Sequence, residues 1–181
     1  MGLTQNAQNA IICNMKIFLD TEFTDFPESE CDLISIGLVD ENGREFYAES
    51  TQYRPEACSD FFKQIVLPLL GKHPDRIVGN YFEIAKSLNE WLKYYGDDEK
   101  AIAIDYLGDW NLLVKLLVLL PEEELVQNVK GINIWGDLDP MALEYYWAEV
   151  DAFGHTEHHA LWDARGNKYA YKPIVRERHN V

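Results

Sequence analysis

Five side chains in this chain have the types and spacing to do chemistry together. The first two, Asp20 and Glu22, close the run Ile17-Phe18-Leu19-Asp20-Thr21-Glu22-Phe23. A run this rich in large apolar side chains reads as a buried strand. Side chains alternate along a strand, so two acids one residue apart point to the same side. Crowded carboxylates at the end of a buried strand repel one another and lose hydration, and a divalent cation is the simplest compensation. An isolated Asp-x-Glu is also found at solvated edges and helix caps, so its meaning depends on what lies downstream.

Downstream, Asp109 falls just beyond a strand, at the start of a helix, and Asp163 falls inside the last helix, five positions after His158. Five positions turn a helix by ~500°, or ~140° beyond a full turn, which sets His158 and Asp163 on neighbouring faces flanking one site. Asp163 is surrounded by Ala160, Leu161 and Ala164, unusual company for a merely solvated acid.

The elements that must position these groups follow from periodicity. Strands are predicted over 16–21, 33–39 and 44–49, the last two joined by the Asn42-Gly43 hairpin signal. Helical spacing appears over 59–70 and again over 81–95, where Trp91 and Tyr95 read as core. Residues 75–78 read as a connector. A fourth strand over 101–106 follows a helix and can therefore run parallel to the first. Leu107-Gly108-Asp109 reads as a break before an apolar helix over 110–120, stopped by Pro121. Residues 131–135 read as a fifth strand or an irregular approach. Pro140 starts a helix over 141–150, and a last helix is predicted over 158–171. The order implies an α/β fold, a mixed sheet with helices on its faces. Residues 1–14 lack useful periodicity and read as a mobile N-terminal extension. Residues 15–181 read as one domain.

The chain has 181 residues, 47% hydrophobic and 13% aromatic, which is globular composition with room for a core. No apolar run reaches the ~18 residues of a membrane span. The three cysteines, Cys13, Cys31 and Cys58, argue against a disulfide scaffold or zinc ribbon and make a reducing cytoplasm the default. A formal charge of −15 disfavours long-range attraction of nucleic acid, but not work on a chain end where metals and a few cations act locally. Arg165, Lys168, Lys172, Arg176 and Arg178 crowd the C-terminus, reading equally well as phosphate contacts or a solvated tail.

Asp20-x-Glu22, then Asp109, then His158-His159-Ala160-Leu161-Trp162-Asp163-Ala164 resembles the three motifs of the DEDDh 3′–5′ exonucleases, whose third motif reads His-x-Ala-x-x-Asp-Ala. Asp-Thr-Glu-Phe, Leu-Ile-Ser-Ile-Gly, Gly-Arg-Glu-Phe-Tyr-Ala and Asp-Ala-Arg are more narrowly similar to the small bacterial polyadenylate-specific 3′-exoribonuclease AS group, over about residues 15–171. The resemblance implies an RNase H-like fold and a metal-dependent 3′–5′ exoribonuclease. It further implies single-stranded RNA ends as substrate, nucleoside 5′-monophosphates as product, no membrane, and a homodimer. An exodeoxyribonuclease of the same fold, or a relative that binds without turnover, are the alternatives. Alignment on the strand and on Trp110 selects Asp109 over Asp105 as the second-motif acid. The four-residue gap to Asp163 selects His158 over His159.

Carried onto this chain, the resemblance makes Asp20, Glu22, Asp109 and Asp163 the ligands of two ions, Mg²⁺ or Mn²⁺. Such hard cations prefer carboxylate oxygens. Two ions ~3.5–4 Å apart can stabilise the charge that gathers on a phosphoryl group under attack. His158 becomes the general base, a role suited to a side chain type that titrates near neutrality. Thr21 and Phe23 are expected at the terminal nucleotide, the one through its backbone N–H, the other through its ring.

Overall fold

A computed structural model describes residues 15–24 and 31–173. The extension predicted over 1–14 and the cations Arg176 and Arg178 lie outside the described residues. β1 (Met15–Phe23), β2 (Leu33–Asp40) and β3 (Glu45–Ser50) form an antiparallel run. The ladder turns on an Asp40 N–H to Arg44 carbonyl pair around Asn42-Gly43. β4 (Ile77–Gly79) joins β3 in parallel, and β5 (Lys100–Ile104) and β6 (Val129–Asn133) add parallel strands beyond β1. The sheet order is β4-β3-β2-β1-β5-β6, so β1 is central; β2 pairs it as far as Phe23, while β5 pairs only Met15–Phe18 and leaves that side open at the acids.

Among the described residues, five α-helices pack around this sheet: α1 (Asp60–Ile65), α2 (Tyr81–Lys93), α3 (Leu107–Leu117), α4 (Pro140–Asp151) and α5 (Ala160–Ala170). The two sheet faces bury different helices. Ile17, Leu19 and Phe23 of β1 pack with Ile84, Leu88 and Leu92 of α2 and Leu112, Leu113 and Leu116 of α3. Phe18 points the other way, into a cluster with Val39, Ala103 and Ala164 of α5. Period-two alternation therefore puts Asp20 and Glu22 on the α5 face. No helix among the described residues is long and apolar enough to cross a membrane.

Several predicted boundaries move for identifiable reasons. The helix expected over 59–70 stops at Ile65, and a 3-10 turn, Leu67–Leu69, takes over around Pro68, which has no N–H to donate. The connector at 75–78 gives way at Ile77 to an edge strand, Ile77–Gly79, because β3 still offers unpaired backbone there. The break at 107–109 is instead the first turn of α3. An acid in that turn is favoured by the helix dipole. The last helix begins at Ala160 rather than His158, since His158 adopts a left-handed φ of 68° that no α-helix continues. Trp91 and Tyr95 are core, as expected; the Trp91 indole donates to the Glu45 carbonyl at 2.8 Å and the Tyr95 hydroxyl to Asp40 at 2.8 Å.

Candidate active site

The end of β1 delivers Asp20 and Glu22 to one side of the sheet, and α5 lies directly on that side. It can lie so close because Gly37 of β2 has no side chain: a Cβ there would fall 2.3 Å from the Leu161 nitrogen and 2.4 Å from the Ala160 carbonyl carbon. Asp163 projects from the first turn of α5. Its Oδ2 accepts the His159 backbone N–H at 2.8 Å.

Asp109 approaches from α3. It is 2% exposed, and its Oδ1 accepts both the Thr21 hydroxyl, at 2.6 Å, and the Thr21 N–H, at 3.2 Å. Thr21 thus orients the acid from the strand that carries the first pair. Among the described residues, carboxylate oxygens of Asp20, Glu22 and Asp163 lie within 4.8 Å of one another, and so do those of Asp20, Asp105 and Asp109. Asp20 belongs to both groups. The structure brings together all four acids taken as ligands, and their rival Asp105 as well.

So much buried negative charge has an electrostatic signature. Burial pushes the Asp20 carboxyl well up, and repulsion from Asp109, Asp163, Glu22 and Asp105 adds to it. Glu22 is raised by burial and then by Asp163 and Asp109. Burial carries Asp163 up to about 8 against the His159 N–H, which favours its charged form. Burial also raises Asp105, against hydrogen bonds from its own backbone and from Asn167. Hard oxygen donors whose carboxyls are all pushed up by burial and mutual repulsion are a donor set that fits divalent cations such as Mg²⁺ or Mn²⁺.

A cleft of about 560 Å³ opens over this cluster, lined by Asp20, Asp105, Asp163 and His158 on its polar side and by Pro140, Leu143 and Trp147 of α4 on its apolar side. His158 sits at its rim, where Phe61, 48% exposed, meets the ring edge-on at 5.0 Å. Phe23 is not in the cleft. It is 7% exposed, stacked on Tyr106 at 6.3 Å and tilted against Phe62 at 6.0 Å. The aromatic side chain that lines the cleft is Trp147, which sequence reasoning missed. Its i, i+4 partnership with Leu143 on α4 was the available signal. Of the C-terminal cations, Arg165 is bonded to Glu45 at 2.5 and 2.7 Å and Lys172 is paired with Asp139.

The nuclease domain of 3′hExo, a DEDDh family member solved bound to rAMP, matches this structure with a TM-score of 0.52 at 17% identity, over 86% of this chain and 88% of that one. The fold is that of a DEDDh nuclease domain. It is the RNase H-like mixed sheet with flanking helices that the motifs implied. In sequence, the chain is 38% identical over 84 residues to two curated relatives from two strains of Mycobacterium tuberculosis, each named a 3′-5′ exoribonuclease. The match takes in 46% of this chain and 49% of each relative, so the chain spans about half the length of the curated relatives it matches. No family model matches the chain.

Proposed function

We propose that this protein is a metal-dependent 3′–5′ exoribonuclease that hydrolyses single-stranded RNA ends and releases nucleoside 5′-monophosphates. One observation carries the reading: acids from β1, α3 and α5, far apart in sequence, meet within 4.8 Å around Asp20 beneath a cleft that also holds His158. The relatives named as 3′-5′ exoribonucleases and the DEDDh fold support it.

Asp20, Glu22, Asp109 and Asp163 would hold two ions, Mg²⁺ or Mn²⁺, with Asp20 shared between the two groups. Ions bound there would hold the attacking and leaving oxygens and neutralise the charge that gathers on the phosphoryl group. His158, at the rim, takes a proton from the attacking water on an imidazole nitrogen. Thr21 keeps the Asp109 carboxylate in a fixed direction. Pro140, Leu143 and Trp147 give the terminal nucleotide an apolar wall, where stacking tolerates any base.

The test is a 5′-labelled oligoribonucleotide and its deoxy counterpart, incubated with Mg²⁺, Mn²⁺ or EDTA. RNA shortened from its 3′ end with either ion, and intact in EDTA, is the expected result. Preferential loss of DNA would move the substrate class. No shortening of either strand with any ion would remove the nuclease reading. Asp163→Ala and His158→Ala should each abolish cleavage.

A further inference from the structure

Two histidines precede α5, and they face opposite ways. His158 borders the cleft. His159 turns into the protein, where it is 6% exposed and stacks on Tyr47, with centroids 4.5 Å apart and ring planes 23° from parallel. His73 lies beside it at 6.4 Å and meets Tyr47 edge-on at 5.4 Å. Tyr47 is itself held. Its hydroxyl donates to Glu49 Oε1 at 3.1 Å, and that oxygen also accepts the Gly71 N–H at 2.9 Å. The His159 ring is therefore gripped between β3 and the chain that follows the Leu67–Leu69 turn.

The backbone of the same residue serves the cleft. Its N–H fixes Asp163 Oδ2 at 2.8 Å, and its carbonyl accepts the N–H groups of Trp162 at 2.7 Å and Asp163 at 3.0 Å. Immediately before it, His158 is held at φ 68°. That conformation is uncommon for a residue with a side chain, though less so for His than for most, and the surroundings must favour it. Beside the Phe61 contact to the His158 ring and the His159 N–H bond to Asp163, the stacked imidazole next door is an anchor that helps to impose it.

We propose that His159 is a positioning residue, whose stack on Tyr47 locks the His158–His159 backbone and so presents the His158 imidazole and the Asp163 carboxylate to the cleft together. The proposal rests on the nuclease reading, with His158 as the base. The role requires a flat ring and no proton transfer. His159 Nδ1 is buried and bonds no other residue among those described, so a phenyl ring can take its place.

The experiment compares His159→Phe, His159→Leu and His159→Ala with wild type and His158→Ala on 5′-labelled RNA with Mn²⁺, alongside thermal melts of each. A wild-type protein that cuts nothing sinks the nuclease reading, and this inference with it. Given wild-type cleavage, kcat should fall by about 100-fold in the Leu and Ala variants with KM nearly unchanged, while the Phe variant stays within about fivefold, because small misplacements of catalytic groups cost rate rather than binding. The acidic limb of the kcat profile should be the same in the Phe variant and wild type. Added imidazole should restore His158→Ala but not His159→Ala. Should the Ala variant fail to fold, the contrast of Phe with Leu, both of which fill the site, decides. A Phe variant as inactive as His158→Ala, or a folded Leu variant with wild-type kcat, would overturn the proposal.

Discussion

Gly37 stands opposite Asp20 in the β1–β2 ladder. One strand thus presents the central acid of the cluster, and its neighbour presents the bare backbone on which α5 rests. The distance from sheet to α5 sets the distance from Asp20 to Asp163. Gly37→Ala places a methyl group 2.3 Å from a backbone nitrogen that cannot rotate aside. The helix must then move or the ladder must bend. Overpacking of this kind costs about 1–3 kcal/mol, and the acid cluster should open with it. Urea unfolding should show the loss of stability, and calorimetry with Mn²⁺ should show weaker uptake. A stable variant with wild-type uptake would mean that α5 takes its position from other contacts.

Thr21 offers a finer probe, since it touches Asp109 and leaves the packing alone. Removing the hydroxyl in Thr21→Val deletes the 2.6 Å bond but keeps the shape. A hydrogen bond to a charged group contributes about 1.5–3 kcal/mol, so Mn²⁺ affinity and kcat/KM should fall by roughly tenfold to a hundredfold. Thr21→Ser keeps the donor and should stay near wild type. A loss in Thr21→Ser with Thr21→Val near wild type would point to the methyl group instead.

Metal-free protein should respond to pH with a definite sign. Asp20, Glu22 and Asp163 are all raised in the folded state, Asp163 to about 8 from an ordinary 3.8. Between those values the folded chain binds more protons than the unfolded one, so unfolding free energy falls as pH rises. His159 acts in the opposite sense, but lower down. Burial lowers it to about 4 from 6.5, so its contribution is lost only on acidification below 6.5. The stretch from about pH 6.5 to 8 therefore isolates the acids, and the metal-free Tm should decline across it. Saturating Mn²⁺ should reverse the slope, because binding requires deprotonated ligands. Scanning calorimetry of Asp163→Asn should show a flatter metal-free profile.

The fold and the acid cluster were legible from the chain to different depths. The apolar run ending in Asp-Thr-Glu announced a central strand, and alternation put both acids on one face, where α5 lies. Asn42-Gly43 announced the hairpin that follows. Other features depend on partners that no local window contains. Ile77–Gly79 is a strand only because the β3 edge recruits it. Gly108 looks like a helix breaker, but it sits in the first turn of α3 beside a buried Asp109. His158 and Asp163, expected on neighbouring faces of one helix, do not share a helix. His158 lies before the helix, and a left-handed turn brings it to the cleft. The resemblance implies Phe23 at the nucleotide, yet alternation sends its ring to the face opposite Glu22, into the core.

Asp105 and Asp109 both have oxygens within 4.8 Å of Asp20. Their surroundings differ. Asp109 is almost completely buried and is aimed by two bonds from Thr21. Asp105 follows the last residue of β5, is only partly buried, and shares its charge with Asn167. A ligand that must be held in one direction is the better oriented of the two, so Asp109→Asn should lose cleavage almost entirely, by about a thousandfold or more if an ion is lost. Asp105→Asn keeps the shape and removes one charge from the cluster. It should weaken Mn²⁺ by only a few-fold, and it should raise the metal-free Tm at pH 8, because one source of repulsion on Asp20 and Asp163 disappears. Paired metal titrations and melts of the two variants give the answer. A dead Asp105→Asn beside an active Asp109→Asn would exchange the roles of the two acids and make the Thr21 contact a purely structural one.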